Sequence, residues 1–211
     1  RVGDPWRFDT DVGPVIDTRA RDGIAEYLAA NRSRVLHKVG APSTGYFIAP
    51  TLLKVTGIGD LDREIFGPVL HVATFKGAEI DRIVADINAK DYGLTFGLHT
   101  RIDDRVQKVT DAIHVGNIYV NRNQIGAVVG SQPFGGEGLS GTGPKAGGPN
   151  YVPRFFASAA KRTDIVIEEQ ADESRLRASL TALAPKKISE QVMPGPTGEL
   201  NRLTLHTRPP I

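Results

Sequence analysis

Pro68-Val69-Leu70-His71-Val72-Ala73-Thr74-Phe75 is a nearly continuous apolar run. A strand with one face in water alternates apolar and polar residues, whereas a run apolar on both faces suits a strand covered on both sides, as in a parallel sheet. Working outward, residues 79–89 carry Ile80, Ile83, Val84 and Ile87 at helical spacing, which predicts an amphipathic helix. Residues 94–99 read as a strand and residues 116–120 as another. Residues 103–113 between them read as a helix, with Asp103 and Asp104 complementing its N-terminal dipole. Strand, helix, strand, helix, strand implies βαβ units and a mainly parallel sheet, so the predicted fold class is α/β.

The flanks are less regular. Residues 18–31 read as a helix with Asp17 as N-cap and Ile24, Tyr27 and Leu28 on one face. Short strands are expected at residues 35–39 and 46–48, around a turn at residues 40–45, and at residues 51–55. After Pro149 the reading is a short helix over 151–160, an exposed strand over 163–168 and a polar helix over 173–184. A turn cluster at Pro194-Gly195-Pro196-Thr197-Gly198 and a weak strand over 203–206 follow.

Composition narrows the function classes. A chain of 211 residues that is 40% hydrophobic fits one large domain, or one domain plus an extension. With 26 basic and 24 acidic residues the net charge is +2, so no bulk field draws it to nucleic acid or a membrane surface. No apolar run approaches the ~18 residues of a membrane span, and no signal peptide opens the chain. There is no cysteine, hence no disulfide framework, thiolate metal site or thiol nucleophile in these residues. His37, His71, His99, His114 and His206 do not pair at metal-ligand spacing, so no metal is expected. Arg1 at one end and His206-Thr207-Arg208-Pro209-Pro210-Ile211 at the other give the expectation of a piece of a longer polypeptide.

Two motifs could carry chemistry. Gln132-Pro133-Phe134-Gly135-Gly136-Glu137-Gly138-Leu139-Ser140-Gly141-Thr142-Gly143-Pro144-Lys145-Ala146-Gly147-Gly148-Pro149 holds too much glycine and proline for a helix or strand interior. Phe134 and Leu139 anchor it as more than a spacer. Gly136, Gly138 and Gly141 spell G-x-G-x-x-G, but Pro133, Pro144 and Pro149 argue against the strand-to-helix setting of a dinucleotide fingerprint. A loop ordered only for packing is the second reading. Backbone amides offered to a small ligand, an anion, is the favoured one. The other motif is Glu64-Ile65-Phe66-Gly67-Pro68-Val69. It reads either as a helix end with Gly67 near the C-cap, or as a carboxylate for ribose hydroxyls beside a ring that packs on a cofactor.

Taken together, these residues resemble the aldehyde dehydrogenase superfamily. Glu64-Ile65-Phe66-Gly67-Pro68-Val69 is similar to its E-x-F-G-P motif, and the spacing to Pro133-Phe134-Gly135-Gly136 also fits. So do Gly3-Asp4-Pro5, Asp11-Val12-Gly13-Pro14, Gly45-Tyr46-Phe47-Ile48-Ala49-Pro50, Tyr92-Gly93-Leu94-Thr95 and Gly116-Asn117-Ile118-Tyr119-Val120-Asn121. The resemblance covers residues 1–167. Asn121-Arg122-Asn123, Gly126-Ala127, the long glycine stretch and Pro194-Gly195-Pro196-Thr197-Gly198-Glu199-Leu200-Asn201 resemble one branch, the dehydrogenase half of the bifunctional proline utilization A flavoenzymes.

The resemblance implies a partial parallel-sheet aldehyde dehydrogenase catalytic domain at residues 1–160, and an oligomerisation strand with a C-terminal extension at 161–211. It implies an NAD-dependent dehydrogenase that oxidises L-glutamate γ-semialdehyde, from 1-pyrroline-5-carboxylate, to glutamate in proline catabolism. FAD would belong to a separate proline dehydrogenase domain. Glu64 would accept from the nicotinamide ribose and Phe66 would pack near the nicotinamide. Gly126 and Ala127 would offer amides to the substrate α-carboxylate, and Phe134 would pack on its aliphatic part. Buried donors of this kind reject analogues that leave them unpaired. The family's cysteine nucleophile, general-base glutamate and oxyanion asparagine lie upstream of Gly3-Asp4-Pro5. No catalytic residue is therefore assigned in this chain, and the chain alone is expected to be inactive. Its upstream half, a homo-oligomer and a cytoplasmic setting are the expected partners and place. The alternative is a non-catalytic interaction or oligomerisation module with a truncated dehydrogenase fold. DNA binding finds no support, since no basic stripe or recognition helix is evident.

Overall fold

The computed structural model describes residues 1–156, 172–182 and 187–207. The expected strand at 163–168, the end of the expected helix at 151–160 and the last residues of the one at 173–184 lie outside the described residues. The chain divides into two compact units, Arg1–Ala89 and Lys90–Ile211.

In the first unit, helix α1 spans Thr18–Ala30. Asp17 is extended and its carboxylate accepts from the Ala20 amide at 2.8 Å, so the expected N-cap supplies one of the acceptors that the first turn lacks. Strands β1 (Val35–Lys38), β2 (Thr51–Lys54) and β3 (Val69–Val72) form a sheet in the order β1-β2-β3. β1 runs antiparallel to β2, and β2 parallel to β3 with Thr51 opposite Val69 and Lys54 opposite Val72. Leu53 on β2 is fully buried, worth about 2 kcal/mol of hydrophobic stabilisation. Helix α2 follows at Ile80–Asn88 and buries Val84, as its periodicity predicts.

Two expectations are corrected here. Residues 46–48 form no strand: the Tyr46 carbonyl accepts from the Val15 amide at 2.8 Å, and the Pro50 carbonyl from Val39 at 3.1 Å. Single ties to separate segments, with proline lacking a donor, replace a ladder. The run from Pro68 to Phe75 is also not covered on both faces, since Leu70 is 64% exposed. Among the described residues β3 has one neighbour, β2, and stands at a sheet edge. It also makes a part-buried contact with α1: the Tyr27 hydroxyl meets His71 Nε2 at 2.8 Å, with the rings edge to face.

The second unit holds β4 (Tyr92–Gly93), β5 (Thr95–Leu98), α3 (Asp103–Ala112), β6 (Asn117–Val120), β7 (Glu137–Gly138), α4 (Glu173–Ala182), β8 (Lys187–Met193) and β9 (Asn201–His206). β5-α3-β6 is the expected βαβ unit, with parallel pairing from Thr95 opposite Asn117 to Leu98 opposite Val120. Val109 and Ile113 at the end of α3 are buried, and Tyr119 of β6 is 5% exposed. β8 and β9 form an antiparallel hairpin about the predicted turn cluster. Strand β8 escaped the sequence reading because Lys187, Ser189, Glu190 and Gln191 give it no apolar face. The α/β class with parallel pairs stands, but among the described residues the strands are distributed over four small sheets rather than one.

Candidate functional site

After β6 the chain turns through Asn121, a non-glycine residue at φ 56°, into the loop that bears Gly126 and Ala127. Tyr119 points its hydroxyl at the Gly126 carbonyl, 3.1 Å away, and Gly126 sits at φ 72°, a conformation suited to glycine. The peptide is trans, so the Ala127 N–H points opposite the Gly126 carbonyl, away from Tyr119. Neither the Gly126 nor the Ala127 amide donates a hydrogen bond among the described residues. The next amide, Val128, is already committed to Gln132 Oε1 at 3.2 Å. Two adjacent amides on a loop held from behind are thus left as available hydrogen-bond donors.

Gln132 is buried, and its side chain ties this loop to the C-terminal hairpin. Its Nε2 donates to Glu199 Oε1 at 2.6 Å and to Asn201 Oδ1 at 3.4 Å. Arg122, lying over the Tyr119 ring at 5.1 Å, donates to the same Glu199 oxygen at 3.1 Å.

Many amides of the glycine stretch are spent inside the fold: Phe134 and Ala146 exchange bonds at 3.0 and 2.8 Å, Leu139 donates to Asp91 at 2.7 Å, Gly141 to Gly138 and Gly148 to Lys145. The Gly135 amide donates to Asn117 Oδ1 at 3.0 Å, while Asn117 Nδ2 donates to the Pro133 carbonyl at 2.9 Å. The loop even contains a strand, β7, which pairs with β4. A Cβ on Gly116 would lie 1.8 Å from the Gly135 carbonyl oxygen, and one on Gly138 2.4 Å from that of Asp91. Glycine is present at these points because backbone packs on backbone. No helix opens after Gly141, so the G-x-G-x-x-G match is not a dinucleotide fingerprint.

Lys145 closes the loop from inside. Its Nζ donates to Gly135 O at 2.7 Å, to Asn117 Oδ1 at 3.2 Å and to Gly116 O. Burial pushes the Lys145 ammonium pKa down, opposed by the Glu137 charge. Phe134 is half-buried in the same loop. A cavity of about 180 Å³ opens between the loop and β9, lined by Pro133, Gly136, Pro144 and Lys145 of the glycine stretch with Leu203 and Leu205; Glu64, Phe66, Gly126, Ala127 and Phe134 do not line it.

Glu64 and Phe66 stand in the first unit, on an irregular segment rather than a helix end. The Gly67 amide donates back to Ile65 O at 2.9 Å, and Val69 to Gly67 O at 2.8 Å. A Cβ on Gly67 would meet Ile24 Cδ1 at 2.4 Å, so the turn presses against α1. This leaves Phe66 80% exposed and the Glu64 carboxylate exposed, without a partner among the described residues. Sequence reasoning missed roles for Tyr119, Asn117, Gln132, Lys145 and Glu199. All five lay within quoted motifs, but nothing in their spacing showed what each one holds. Among the described residues no cluster of three or more His, Asp or Glu side chains suits a metal, and no helix is long and apolar enough to cross a membrane.

The parallel βαβ unit, the E-x-F-G-P turn and the clamped loop after β6 define part of an α/β dehydrogenase fold. The Aldehyde dehydrogenase family profile matches residues 1–160, and the chain belongs to that family. It is 42% identical to the bifunctional protein PutA of Klebsiella aerogenes over 99% of this chain and 19% of that protein. Identity to 1-pyrroline-5-carboxylate dehydrogenase 1 of Halalkalibacterium halodurans is 42%, over 72% of this chain and 30% of that protein. Among solved structures, Bradyrhizobium japonicum proline utilization A superposes with TM-score 0.71 at 49% identity, covering 74% of this chain and 16% of that one. The NAD-bound 1-pyrroline-5-carboxylate dehydrogenase from Thermus gives 0.64 at 36%, covering 73% and 30%. The chain thus spans about a fifth of the length of its PutA relatives.

Proposed function

We propose that this chain is the C-terminal part of an NAD-dependent L-glutamate γ-semialdehyde dehydrogenase within a bifunctional proline-oxidising protein. Residues 1–160 would belong to the catalytic domain, and residues 161–211 would supply an oligomerisation strand and extension. The parent oxidises glutamate γ-semialdehyde, the hydrolysed form of 1-pyrroline-5-carboxylate, to glutamate. The observation that carries this reading is the pair of uncommitted amides at Gly126 and Ala127, on a loop whose carbonyl side is held by Tyr119. The aldehyde end is common to many substrates, so selectivity needs a site for the distal carboxylate. Two adjacent donors would favour a substrate that carries the distal carboxylate over one that lacks it. Phe134 packs on the aliphatic chain of the substrate.

NAD accepts the hydride when bound. The residues here fit it: the unpartnered Glu64 carboxylate can accept ribose hydroxyls, and the exposed Phe66 ring offers an apolar face. FAD belongs to the proline-oxidising region and has no site proposed in this chain. With no cysteine in the sequence, the chain by itself is proposed to be inactive. The apolar side chains of Trp6, Phe8 and Ile16, each more than 90% exposed, support packing against the upstream half of the domain.

NADH formation by the full-length polypeptide, from 1-pyrroline-5-carboxylate and from butyraldehyde in parallel, tests the reading. A large preference for the carboxylate substrate is expected. Activity with butyraldehyde alone removes the proline-catabolic assignment, and no activity with either favours a non-catalytic module.

A further inference from the structure

The loop that presents Gly126 and Ala127 is held at both ends by one carboxylate from a distant part of the chain. Glu199 lies in the connection between β8 and β9, 77 residues from Arg122 and 67 from Gln132, and its Oε1 accepts from both. The ion pair is partly shielded, with the Arg122 and Glu199 side chains 32% and 28% exposed. Gln132 is more deeply buried, at 8%. Its other end accepts the Val128 amide, next to the two free donors. Arg122 lies over the ring of Tyr119, whose hydroxyl fixes the Gly126 carbonyl.

We propose that Glu199 is a positioning residue for substrate selectivity: it fixes the 122–132 loop through Arg122 and Gln132, so that the Gly126 and Ala127 amides meet the carboxylate of the substrate. This rests on the carboxylate-binding reading of that loop. Glu199 acts in two ways. It gives the buried Gln132 amide its short, charge-assisted bond at 2.6 Å, without which only the longer one to Asn201 Oδ1 at 3.4 Å would hold the side chain against Val128. It also neutralises Arg122, which would otherwise compete with the two amides for an incoming carboxylate, because guanidinium and carboxylate pair readily in two-point fashion. The β8–β9 hairpin then belongs to the specificity apparatus rather than being an appendage.

The test is steady-state kinetics of the full-length enzyme and its E199A and E199Q variants, with 1-pyrroline-5-carboxylate and with butyraldehyde. For E199A, KM for the carboxylate substrate should rise about tenfold, the scale of one lost charge-assisted hydrogen bond. Its kcat, and kcat/KM for butyraldehyde, should stay within about twofold. E199Q retains an acceptor for Gln132 and loses the ion pair, so its KM should fall between the two. Hydrogen exchange of amides 122–132 should quicken in E199A while that of α3 does not. Equal losses on both substrates, or unchanged KM and exchange in a wild type that prefers the carboxylate substrate, overturn the role of Glu199. A wild type without that preference sinks the carboxylate reading itself, and the selectivity role with it, whatever the exchange shows. If E199A does not fold, E199Q carries the same comparison.

Discussion

Lys145 Nζ lies 3.2 Å from Asn117 Oδ1, joining the glycine loop to strand β6 across a pocket of backbone carbonyls. Asn117 is 8% exposed and spends its amide on Pro133 O, while Lys145 serves Gly135 O and Gly116 O. The ammonium is tolerated inside because several acceptors replace its water. Lys145→Met keeps the apolar stem and leaves those oxygens unsatisfied. We expect the opening free energy of amides 133–148 to fall by about 2–4 kcal/mol, read by hydrogen exchange. Unchanged protection would show that the lysine is dispensable.

Gly116 and Gly59 make a matched pair. A Cβ on Gly116 would sit 1.8 Å from Gly135 O, a backbone atom that cannot swing aside, whereas one on Gly59 meets nothing within 4 Å. Gly116→Ala should cost about 3 kcal/mol or abolish soluble expression, while Gly59→Ala should change stability by less than about 0.5 kcal/mol. Melting temperatures of the two variants check this, and a tolerated Gly116→Ala would contradict the close approach of the loop.

His71 makes the first unit pH-sensitive. Burial holds its imidazole below the ordinary histidine range, beside the Tyr27 hydroxyl at 2.8 Å. Below about pH 6.5 the unfolded chain takes up a proton that the folded form resists. The contribution to stability is therefore full above that pH and is lost as pH falls toward the folded-state value. Thermal melts from pH 7.5 to pH 5 should show a decline that His71→Gln flattens. An imidazole that titrates above about 6.5 by NMR would refute the assignment.

Tyr119→Phe keeps the buried ring and removes only the hydroxyl that holds Gly126 O. With the loop less fixed, KM for 1-pyrroline-5-carboxylate in the full-length enzyme should rise about three- to tenfold, matching one neutral hydrogen bond. Turnover and butyraldehyde kinetics should remain near wild type. A drop in kcat for both substrates would place the effect in general folding instead.

How much was legible varies with the range of the interactions involved. The Asp17 cap, the α2 stripe of Ile80, Ile83, Val84 and Ile87, and the β5-α3-β6 unit are encoded within a few residues each, and spacing revealed them. Strand β8 was illegible because its polar residues signal no face, and pairing with β9 alone makes it a strand. Glu64 and Phe66 were legible as a motif, but the pressed turn at Gly67 required Ile24, 43 positions earlier, to be in place.

The α/β class, the family to which the chain belongs and the positions of its two motifs could be read from the residues alone, because periodicity, caps and motif spacing are local properties of the chain. Which backbone amides are left free depends on the folded arrangement. In the glycine stretch many amides are consumed by Asn117, Asp91 and the loop itself, while the plainer Gly126-Ala127 pair donates to nothing among the described residues. A hydrogen-bond donor is available or spent according to partners brought from far along the chain, and no local pattern records that.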